Sequence, residues 1–206
     1  MNPGCLIISG GEFSPFPPPA EGEYVIACDR GYDYARRCGI TPDLVVSDFD
    51  SSHTTVEDGV AVRRLPTVKD DTDTMSAIRY ALEQGFRDLR LVCALGGRLD
   101  HLIANLQSAV FAAVRGARVQ IHAADTEIYT LRNDRLRLPR REGYSLSVFA
   151  AEDRCRGFSV SGTKYELEDA ELTGDFPLGV SNEWASEAAE ISIREGTLLI
   201  VLSKMD

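Results

Sequence analysis

The sequence predicts an α/β domain at the N-terminal side, followed by an all-β domain. In residues 1–124, short apolar runs that mostly end in Gly, Asp or Ser alternate with stretches of helical periodicity. This alternation is typical of a layered fold with a largely parallel sheet. After residue 124 the apolar runs become shorter and have period-two character, which indicates a small antiparallel sandwich. The 206 residues have room for one large domain or two small ones, and we place the boundary between residues 124 and 125.

The strands of the first domain are predicted at its apolar runs. These runs are Cys5–Ile8, Tyr24–Cys28, 44–46, 89–94 and 119–122. A first helix is predicted over residues 74–83, which Gly85 would stop. A second helix is predicted over residues 100–114. Its predicted apolar stripe consists of Leu102, Ile103, Leu106, Val110 and Val114.

The second domain carries its period-two stretches at residues 128–131, 144–149 and 157–161. Residues 189–202 are predicted to form a terminal hairpin that turns at Gly196. In the first domain, residues 13–19 contain four prolines in seven positions and predict a stiff surface loop.

Composition limits the classes of partner and the cellular location. The chain carries 22 basic and 32 acidic residues, a net charge of −10, which argues against a nucleic-acid partner. Its longest early apolar run is short and follows no basic region, so we expect no signal peptide, no membrane partner and a cytoplasmic location. The five cysteines form no CxxC pair, which favours buried thiols over disulfides or zinc.

Asp48 and Asp50, just after the strand at 44–46, are the first candidates for chemistry. Side chains two residues apart point the same way if the segment stays extended. A pair of carboxylates suits Mg²⁺, which usually takes one or two of them together with substrate phosphates. Three alternatives stay open at this point: a polar turn that caps the next element, the DxD of nucleotide-sugar transferases, and the nucleophile pair of aspartyl-phosphate phosphatases.

The segment 69–73 opens the first predicted helix. Asp70 or Thr72 as N-cap, and Asp73 in the first turn, would stabilise that helix for structural reasons alone. This interpretation does not account for Lys69, whose positive charge could meet a phosphate.

The segment 96–101 precedes the second predicted helix. Gly97 allows close backbone approach, the helix N-terminus attracts an anion, and Arg98 can grip phosphate oxygens with two nitrogens. The neighbouring Asp100 and His101 make no hydrolase triad, because the sequence contains no GxSxG nucleophile elbow. Gly97, the helix N-terminus and Arg98 together make this loop the predicted phosphate site. Neither a P-loop nor a dinucleotide-binding fingerprint is present, so neither motif would bind the nucleotide.

Taken in order, these motifs resemble the thiamine pyrophosphokinase family. The matching segments are Asp29-x-Gly31, Pro42-Asp43 before Asp48-x-Asp50, Lys69-Asp70-x-Thr72-Asp73, Gly96-Gly97-Arg98-x-Asp100-His101, and Asn105. The likeness continues with Lys164-Tyr165 before Leu167-Glu168 and with Ser181-Asn182-Glu183, so it covers nearly the whole chain. The chain departs from the family at Ser47 and Arg30, where glycine is common, and in the insertion after Gly11.

The resemblance implies an enzyme that transfers a pyrophosphoryl group from ATP to the hydroxyl of thiamine, with Mg²⁺, and releases AMP. Residues 1–124 would be the ATP-binding catalytic domain, and residues 125–206 the thiamine-binding and dimerisation sandwich. The family likeness also implies a homodimer, with each active site between the catalytic domain of one subunit and the sandwich of the other.

The resemblance also implies roles for single residues. Asp48, Asp50 and Asp73 would hold Mg²⁺ and orient the phosphates, Asp100 would assist, and which aspartate acts as general base stays open. Ser181 and Asn182 would bind thiamine. The positions expected at the nucleotide are Asp29, Gly31, Lys69, Asp70, Thr72, Gly97, Arg98, His101 and Asn105.

Trp184, the only tryptophan, follows the Ser181-Asn182-Glu183 motif directly. Thiamine carries a permanent positive charge, and a tryptophan face attracts such a cation, so we place Trp184 in the substrate site. The alternative is that Trp184 closes the sandwich core. Two other classes of function stay open: a different Mg²⁺-dependent transferase or phosphatase of DxD type, and a ligand-binding protein that does not consume ATP.

Overall fold

The computed structural model describes residues 3–47, 56–65 and 71–205, and the chain divides into two compact units. The first unit consists of Met1–Ala112 and Val119–Ala124, and the second of Ala113–Arg118 and Asp125–Asp206. Asp48, Asp50, Lys69 and Asp70, four of the predicted site residues, lie outside the described residues. No helix in the described ranges is long and apolar enough to cross a membrane.

The first unit is built around a mostly parallel sheet. Its described elements are β1 (Cys5–Ile8), β2 (Tyr24–Cys28), α1 (Gly31–Arg37), β3 (Leu44–Ser47), β4 (Ala61–Arg64), α2 (Asp73–Glu83), β5 (Asp88–Val92), α3 (Leu99–Val114) and β6 (Arg118–His122). The strand order is β6-β5-β1-β2-β3-β4. Strand β1 pairs in parallel with β2 and β5, and β2-β3 and β3-β4 are parallel as well. These pairings confirm the predicted α/β class.

Helix α2 confirms the predicted helix and decides its N-cap. The Thr72 hydroxyl accepts a hydrogen bond from the Met75 amide at 3.1 Å, so Thr72 is the cap, and Asp73 lies in the first turn. The helix ends at Glu83, two residues before Gly85, whose amide donates to the Leu82 carbonyl oxygen at 3.1 Å.

Helix α3 covers the predicted range, but its apolar stripe is only partly buried, because Leu102, Leu106 and Val110 are half-buried and the other two members are exposed. Ile103 and Val114 are 48% and 46% exposed, whereas Ala109 and Ala112 are fully buried. Hydrophobicity alone predicts that stripe, but the buried face consists of small residues, because these let the helix backbone lie close to its neighbours.

The second unit is a two-sheet antiparallel structure. Its strands are β7 (Thr126–Arg132), β8 (Arg135–Pro139), β9 (Tyr144–Ala150), β10 (Arg154–Ser161), β11 (Leu167–Thr173), β12 (Gly179–Asn182), β13 (Ala188–Ser192) and β14 (Thr197–Lys204). They are ordered β12-β9-β14-β7 in one sheet and β11-β10-β13-β8 in the other. One hydrophobic cluster takes Leu146 and Leu198 from the first sheet and Phe158 and Ile191 from the second. The predicted sandwich is thereby confirmed.

The predicted terminal hairpin is wrong. Strand β13 pairs with β8 and β10, whereas β14 pairs with β7 and β9, so the chain changes sheets near Gly196. Period-two alternation shows which side chains of a strand face the core. The same alternation occurs in both sheets of a sandwich, because each sheet has one inward face. The local pattern therefore does not select the partner strand.

Candidate active site

A cavity of about 1040 Å³ lies in the first unit, at the carboxyl ends of its parallel strands. This volume is just above the range of roughly 300–1,000 Å³ typical of small-molecule sites, so a nucleoside triphosphate fits. The cavity is lined by the residues after β1, by the end of β2, and by the N-terminal ends of α2 and α3. Such an edge is where ligands bind in open α/β sheets.

The cavity brings together most of the described residues that the sequence predicts at the nucleotide. The predicted residues on its lining are Asp29, Thr72, Asp73, Gly97, Arg98, His101 and Asn105. Gly31 and Asp100 are described and stand outside this lining. Gly31 instead allows α1 to pack on the central sheet, because a Cβ atom there would lie 2.0 Å from the Ile8 carbonyl oxygen.

The glycine turn after β1 forms a part of the cavity wall that is free of side chains. The Gly11 amide donates to the Cys93 carbonyl oxygen at 3.0 Å, and a Cβ atom on Gly11 would lie 2.6 Å from that oxygen. Only glycine fits this close approach between the ends of β1 and β5. Glycine backbone at the cavity wall leaves room for a phosphate to approach closely.

The N-terminus of α2 is held against the ends of β1 and β2. The Thr74 hydroxyl donates to the Ser9 hydroxyl oxygen at 3.1 Å, and both residues are buried. The Cys28 thiol, at the end of β2, donates to the Asp73 carbonyl oxygen at 3.7 Å. These contacts place Asp73 at the cavity. Ser9 and Thr74 were missed by sequence analysis because single hydroxyl residues carry no motif.

Asp29 lies directly after β2 with a backbone φ of 46°. This left-handed conformation is uncommon outside glycine, although aspartate tolerates it better than most residues. Non-glycine residues in this region cluster at functional sites, where the surrounding structure holds them. The strand end itself therefore aims Asp29 at the cavity.

The loop before α3 carries a paired arginine. The Arg98 guanidinium donates to both Asp100 carboxylate oxygens, at 3.1 and 2.6 Å. These hydrogen bonds lower the pKa of Asp100 and raise the pKa of Arg98. The two side chains are 74% and 62% exposed, so solvent weakens the attraction. Behind the loop, the side-chain amide nitrogen of Asn105 donates to the Ala94 carbonyl oxygen at 2.7 Å. This bond holds α3 to the chain after β5.

The cavity lining contains hard oxygen donors of the kind that Mg²⁺ prefers. Asp29, Asp71 and Asp73 all line it, and carboxylates with substrate phosphates form the usual Mg²⁺ environment. Within the described ranges, no three His, Cys, Asp or Glu side chains stand close enough to hold a metal by themselves. The donor chemistry thus fits a metal shared with the phosphates of a ligand.

The predicted thiamine residues lie in the second unit, and two of them are buried. Asn182 is 8% exposed. Its side-chain oxygen accepts hydrogen bonds from the backbone amides of Tyr165 and Glu183, at 3.0 Å each. Its amide nitrogen donates to the Thr163 hydroxyl at 3.1 Å and to the Tyr165 carbonyl oxygen at 2.7 Å. Asn182 therefore binds its own chain and joins the Lys164-Tyr165 and Ser181-Asn182-Glu183 motifs.

Ser181 and Trp184 differ from each other in exposure. Ser181 is exposed, with φ of 58°, and its amide donates to the Ser147 hydroxyl at 3.0 Å. Trp184 is 8% exposed and belongs to the sandwich core, and its indole nitrogen donates to the Leu138 carbonyl oxygen at 3.2 Å. These contacts are the ones expected if Trp184 closes the sandwich core. The roles of all three residues toward thiamine stay predictions.

The fold and the cavity define a class of two-domain enzyme, in which an α/β unit with a polar, glycine-bordered cavity precedes a β-sandwich. Residues 20–121 match the family model of the thiamin pyrophosphokinase catalytic domain, and residues 133–198 match that of the thiamin pyrophosphokinase vitamin B1 binding domain. The chain belongs to the thiamin pyrophosphokinase family. It is thus an enzyme that pyrophosphorylates thiamine, and the rival classes of function are not favoured.

Individual relatives agree with this assignment. Thiamine pyrophosphokinase from Bacillus subtilis (strain 168) is 23% identical over 184 residues, which cover 86% of each chain. The crystal structure of thiamine pyrophosphokinase from Bacillus subtilis has a TM-score of 0.83 at 22% identity, over 97% of this chain and 99% of the other. That of thiamin pyrophosphokinase from Geobacillus thermodenitrificans has a TM-score of 0.80 at 26% identity, over 97% of both chains.

Proposed function

We propose that the cavity of the α/β unit binds ATP, and that the chain transfers the terminal pyrophosphoryl group of ATP to the hydroxyl of thiamine and releases AMP. One observation carries the proposal: the Gly10-Gly11 turn, the Gly96-Gly97 turn and the N-terminal ends of α2 and α3 all border one cavity. Helix N-termini attract phosphate groups, and glycine turns let such groups approach the backbone closely.

The reaction forms a bond from the thiamine hydroxyl oxygen to the β-phosphorus of ATP and breaks the bond from that phosphorus to the oxygen shared with the α-phosphate. The hydroxyl proton passes to a base, for which the cavity offers Asp29, Asp71 and Asp73. Displacement at phosphorus needs positioning and charge neutralisation more than covalent help. Asp73, together with Asp48 and Asp50 from outside the described residues, would hold Mg²⁺, which neutralises phosphate charge when it is bound.

Arg98 is the cationic side chain that we assign to the phosphates. Its partner Asp100 offers two carboxylate oxygens, which is the bidentate geometry that a phosphate also offers. Because this pair is exposed, it costs little to exchange the carboxylate for a phosphate. We infer that Asp100 holds Arg98 in place until ATP arrives, which would be its assisting role.

The sandwich supplies the thiamine side of the proposal. Ser181, Asn182 and Trp184 fall inside the part of the chain that matches the vitamin B1 binding domain. Ser181 is exposed and would contact thiamine, whereas Asn182 and Trp184 are buried and would hold the site in shape. The proposal includes a homodimer, supported by the apolar side chains of Phe176, Leu178 and Val180, which recur at every second position and are 64%, 49% and 45% exposed. Light scattering tests this part, since a monomeric mass with full activity would contradict it.

A cytoplasmic location is also part of the proposal. All five cysteines are free, and four of them are buried. Unpaired thiols are typical of a reducing compartment.

A product assay tests the function directly. The purified protein, given ATP, Mg²⁺ and thiamine, should form AMP and thiamine pyrophosphate in equal amounts, and chelation of the metal should stop the reaction. Thiamine monophosphate is the matched control, because its hydroxyl is already esterified and it should support no AMP formation. ADP as the product, or AMP formed without thiamine, would contradict the proposal.

A further inference from the structure

Residues 13–19, the proline-rich segment, begin at the cavity wall, where Phe13 is a lining residue. Four of the seven residues are prolines, which lack an amide hydrogen, so the segment cannot pair as a strand. It contains neither helix nor strand. Two kinds of contact hold the segment in place instead. Phe13 and Phe16 pack against the hydrophobic cluster that includes Leu6 and Ile8 of β1, and backbone carbonyl oxygens of the segment accept hydrogen bonds.

Arg90, on β5, holds the far end of the proline-rich segment. Its guanidinium donates to the carbonyl oxygens of Pro17 and Pro18 at 3.0 and 3.1 Å. It also donates to both carboxylate oxygens of Glu23, at 3.2 and 2.6 Å. The Arg90 and Glu23 side chains are 17% and 8% exposed, so solvent screens this ion pair far less than it screens the exposed Arg98 pair. The segment is thereby tied to the sheet.

Phe13 belongs to a cluster of flat side chains at the cavity. Its ring meets Tyr34 edge to face, with 5.3 Å between ring centroids, and the Arg37 guanidinium carbon lies 4.2 Å from the centre of the Phe13 ring. The Tyr34 hydroxyl donates to the Gly11 carbonyl oxygen at 2.8 Å, which ties the cluster to the glycine turn. Phe13, Tyr34 and Arg37 all line the cavity. The aromatic rings suit a flat π-electron ligand, and a guanidinium that lies over a ring adds a second planar group on which such a ligand can stack.

We propose that Phe13, Tyr34 and Arg37 form the wall that receives the nucleobase of ATP, and that Arg90 and Glu23 are positioning residues that keep this wall in place. The inference rests on the proposed function and deepens it, because it assigns the nucleoside half of the substrate to one part of the cavity. Neither Arg90 nor Glu23 lines the cavity, so their influence on the nucleotide passes through the proline-rich segment.

The test compares two ligands that share their phosphates and differ in the nucleoside. Binding of ATP and of inorganic tripolyphosphate to the full chain is measured by calorimetry, with Mg²⁺ and without thiamine. Phe13→Ala should weaken ATP binding about fivefold to twentyfold, and Arg90→Gln about threefold to tenfold, as expected for lost stacking. Tripolyphosphate binding should stay within about twofold for both variants, and Phe13→Tyr, which keeps a flat ring, should restore ATP affinity.

Arg154→Gln is the matched control, because Arg154 forms an exposed pair with Glu171 in the sandwich, at 2.7 Å. It should leave both affinities unchanged. If Arg90→Gln does not fold, Glu23→Gln removes the same ion pair and serves in its place. Unchanged ATP affinity in Phe13→Ala, or equal losses for ATP and tripolyphosphate, would overturn the inference.

The outcome is separable from that of the proposed function. Selective loss of ATP binding in a protein that forms no AMP from ATP and thiamine would support the nucleobase wall and refute the reaction. An active enzyme whose Phe13→Ala variant binds ATP normally would support the reaction and refute the wall.

Discussion

The cavity and the Ser181–Trp184 region of the sandwich use their polar side chains in different ways. At the cavity, Arg98 is exposed and bonded to another exposed side chain, so its hydrogen bonds can be exchanged for those of a ligand. In the sandwich, Asn182 and Trp184 are buried, and their side chains are hydrogen-bonded to the backbone of Tyr165 and of Leu138. Both regions contain motif residues, but a side chain can hydrogen-bond to a ligand only if its polar atoms remain accessible. The comparison predicts that variants of the cavity change activity, whereas variants of Asn182 and Trp184 change stability.

The largest expected effect is on stability. Trp184→Ala should lower the free energy of unfolding by about 3–5 kcal/mol, because it empties a core position and leaves the Leu138 carbonyl oxygen without its donor. Trp184→Phe, which keeps most of the volume, is the control and should lose less. Denaturant unfolding measures both. A thiamine KM that rises severalfold while the melting temperature stays unchanged would place Trp184 at the ligand and contradict the expected structural role.

The next effect is on turnover. Asp73→Asn should lower kcat about a hundredfold or more with the fold intact, because loss of a metal-holding carboxylate removes charge stabilisation in the transition state. We expect the same of Asp48→Asn and Asp50→Asn. Asp58→Asn is the control, since Asp58 is exposed and stands outside the cavity lining, and its turnover should match the wild type. Near-normal rates in all three site variants would remove the metal role.

A smaller effect is expected at Arg98. Arg98→Ala should raise the KM for ATP about tenfold, as expected for the loss of one charged contact to phosphate. Its melting temperature should match the wild type, because an exposed ion pair contributes little to stability. Steady-state kinetics with ATP varied at saturating thiamine, paired with a thermal melt, give both values. A large fall in melting temperature with an unchanged KM would show that Arg98 is structural.

The smallest effect concerns the cysteines, which report on the packing of both units. Burial raises the pKa of the Cys5, Cys93 and Cys155 thiols, whereas Cys38 is exposed. A thiol reagent at neutral pH should therefore label one cysteine in the folded protein and five after denaturation. Fast labelling of a second cysteine would show that a core opens.

These raised pKa values also set the direction of the pH dependence. The unfolded chain releases its thiol protons near the ordinary pKa of 9.0, while the folded protein keeps them. Their contribution to stability is therefore complete below about pH 9 and declines as the pH rises further. Denaturant unfolding at pH 7 and pH 10 measures the change, and Cys5→Ala should reduce its size.

The fold class, the helices α2 and α3 and the order of the site motifs follow from the sequence pattern. Apolar runs, an N-cap such as Thr72 and a stop such as Gly85 act on neighbouring residues, so a local pattern contains their whole cause. The strand-end positions of Asp29 and of the Gly96-Gly97 turn likewise follow from where each apolar run stops, because the carboxyl ends of parallel strands meet at one edge.

Which distant groups meet depends on how the whole chain packs. The separate partners of β13 and β14, the Ser9–Thr74 hydroxyl pair and the hold of Arg90 on the proline-rich segment all join residues far apart in the chain. The buried face of α3 belongs with them, because side-chain size relative to the neighbouring elements, rather than hydrophobicity, selects it. A local sequence pattern indicates burial and turns, but hydrogen-bond partners depend on how the whole chain packs. For the same reason, only the packed chain shows whether a given residue stabilises the fold or contacts a ligand.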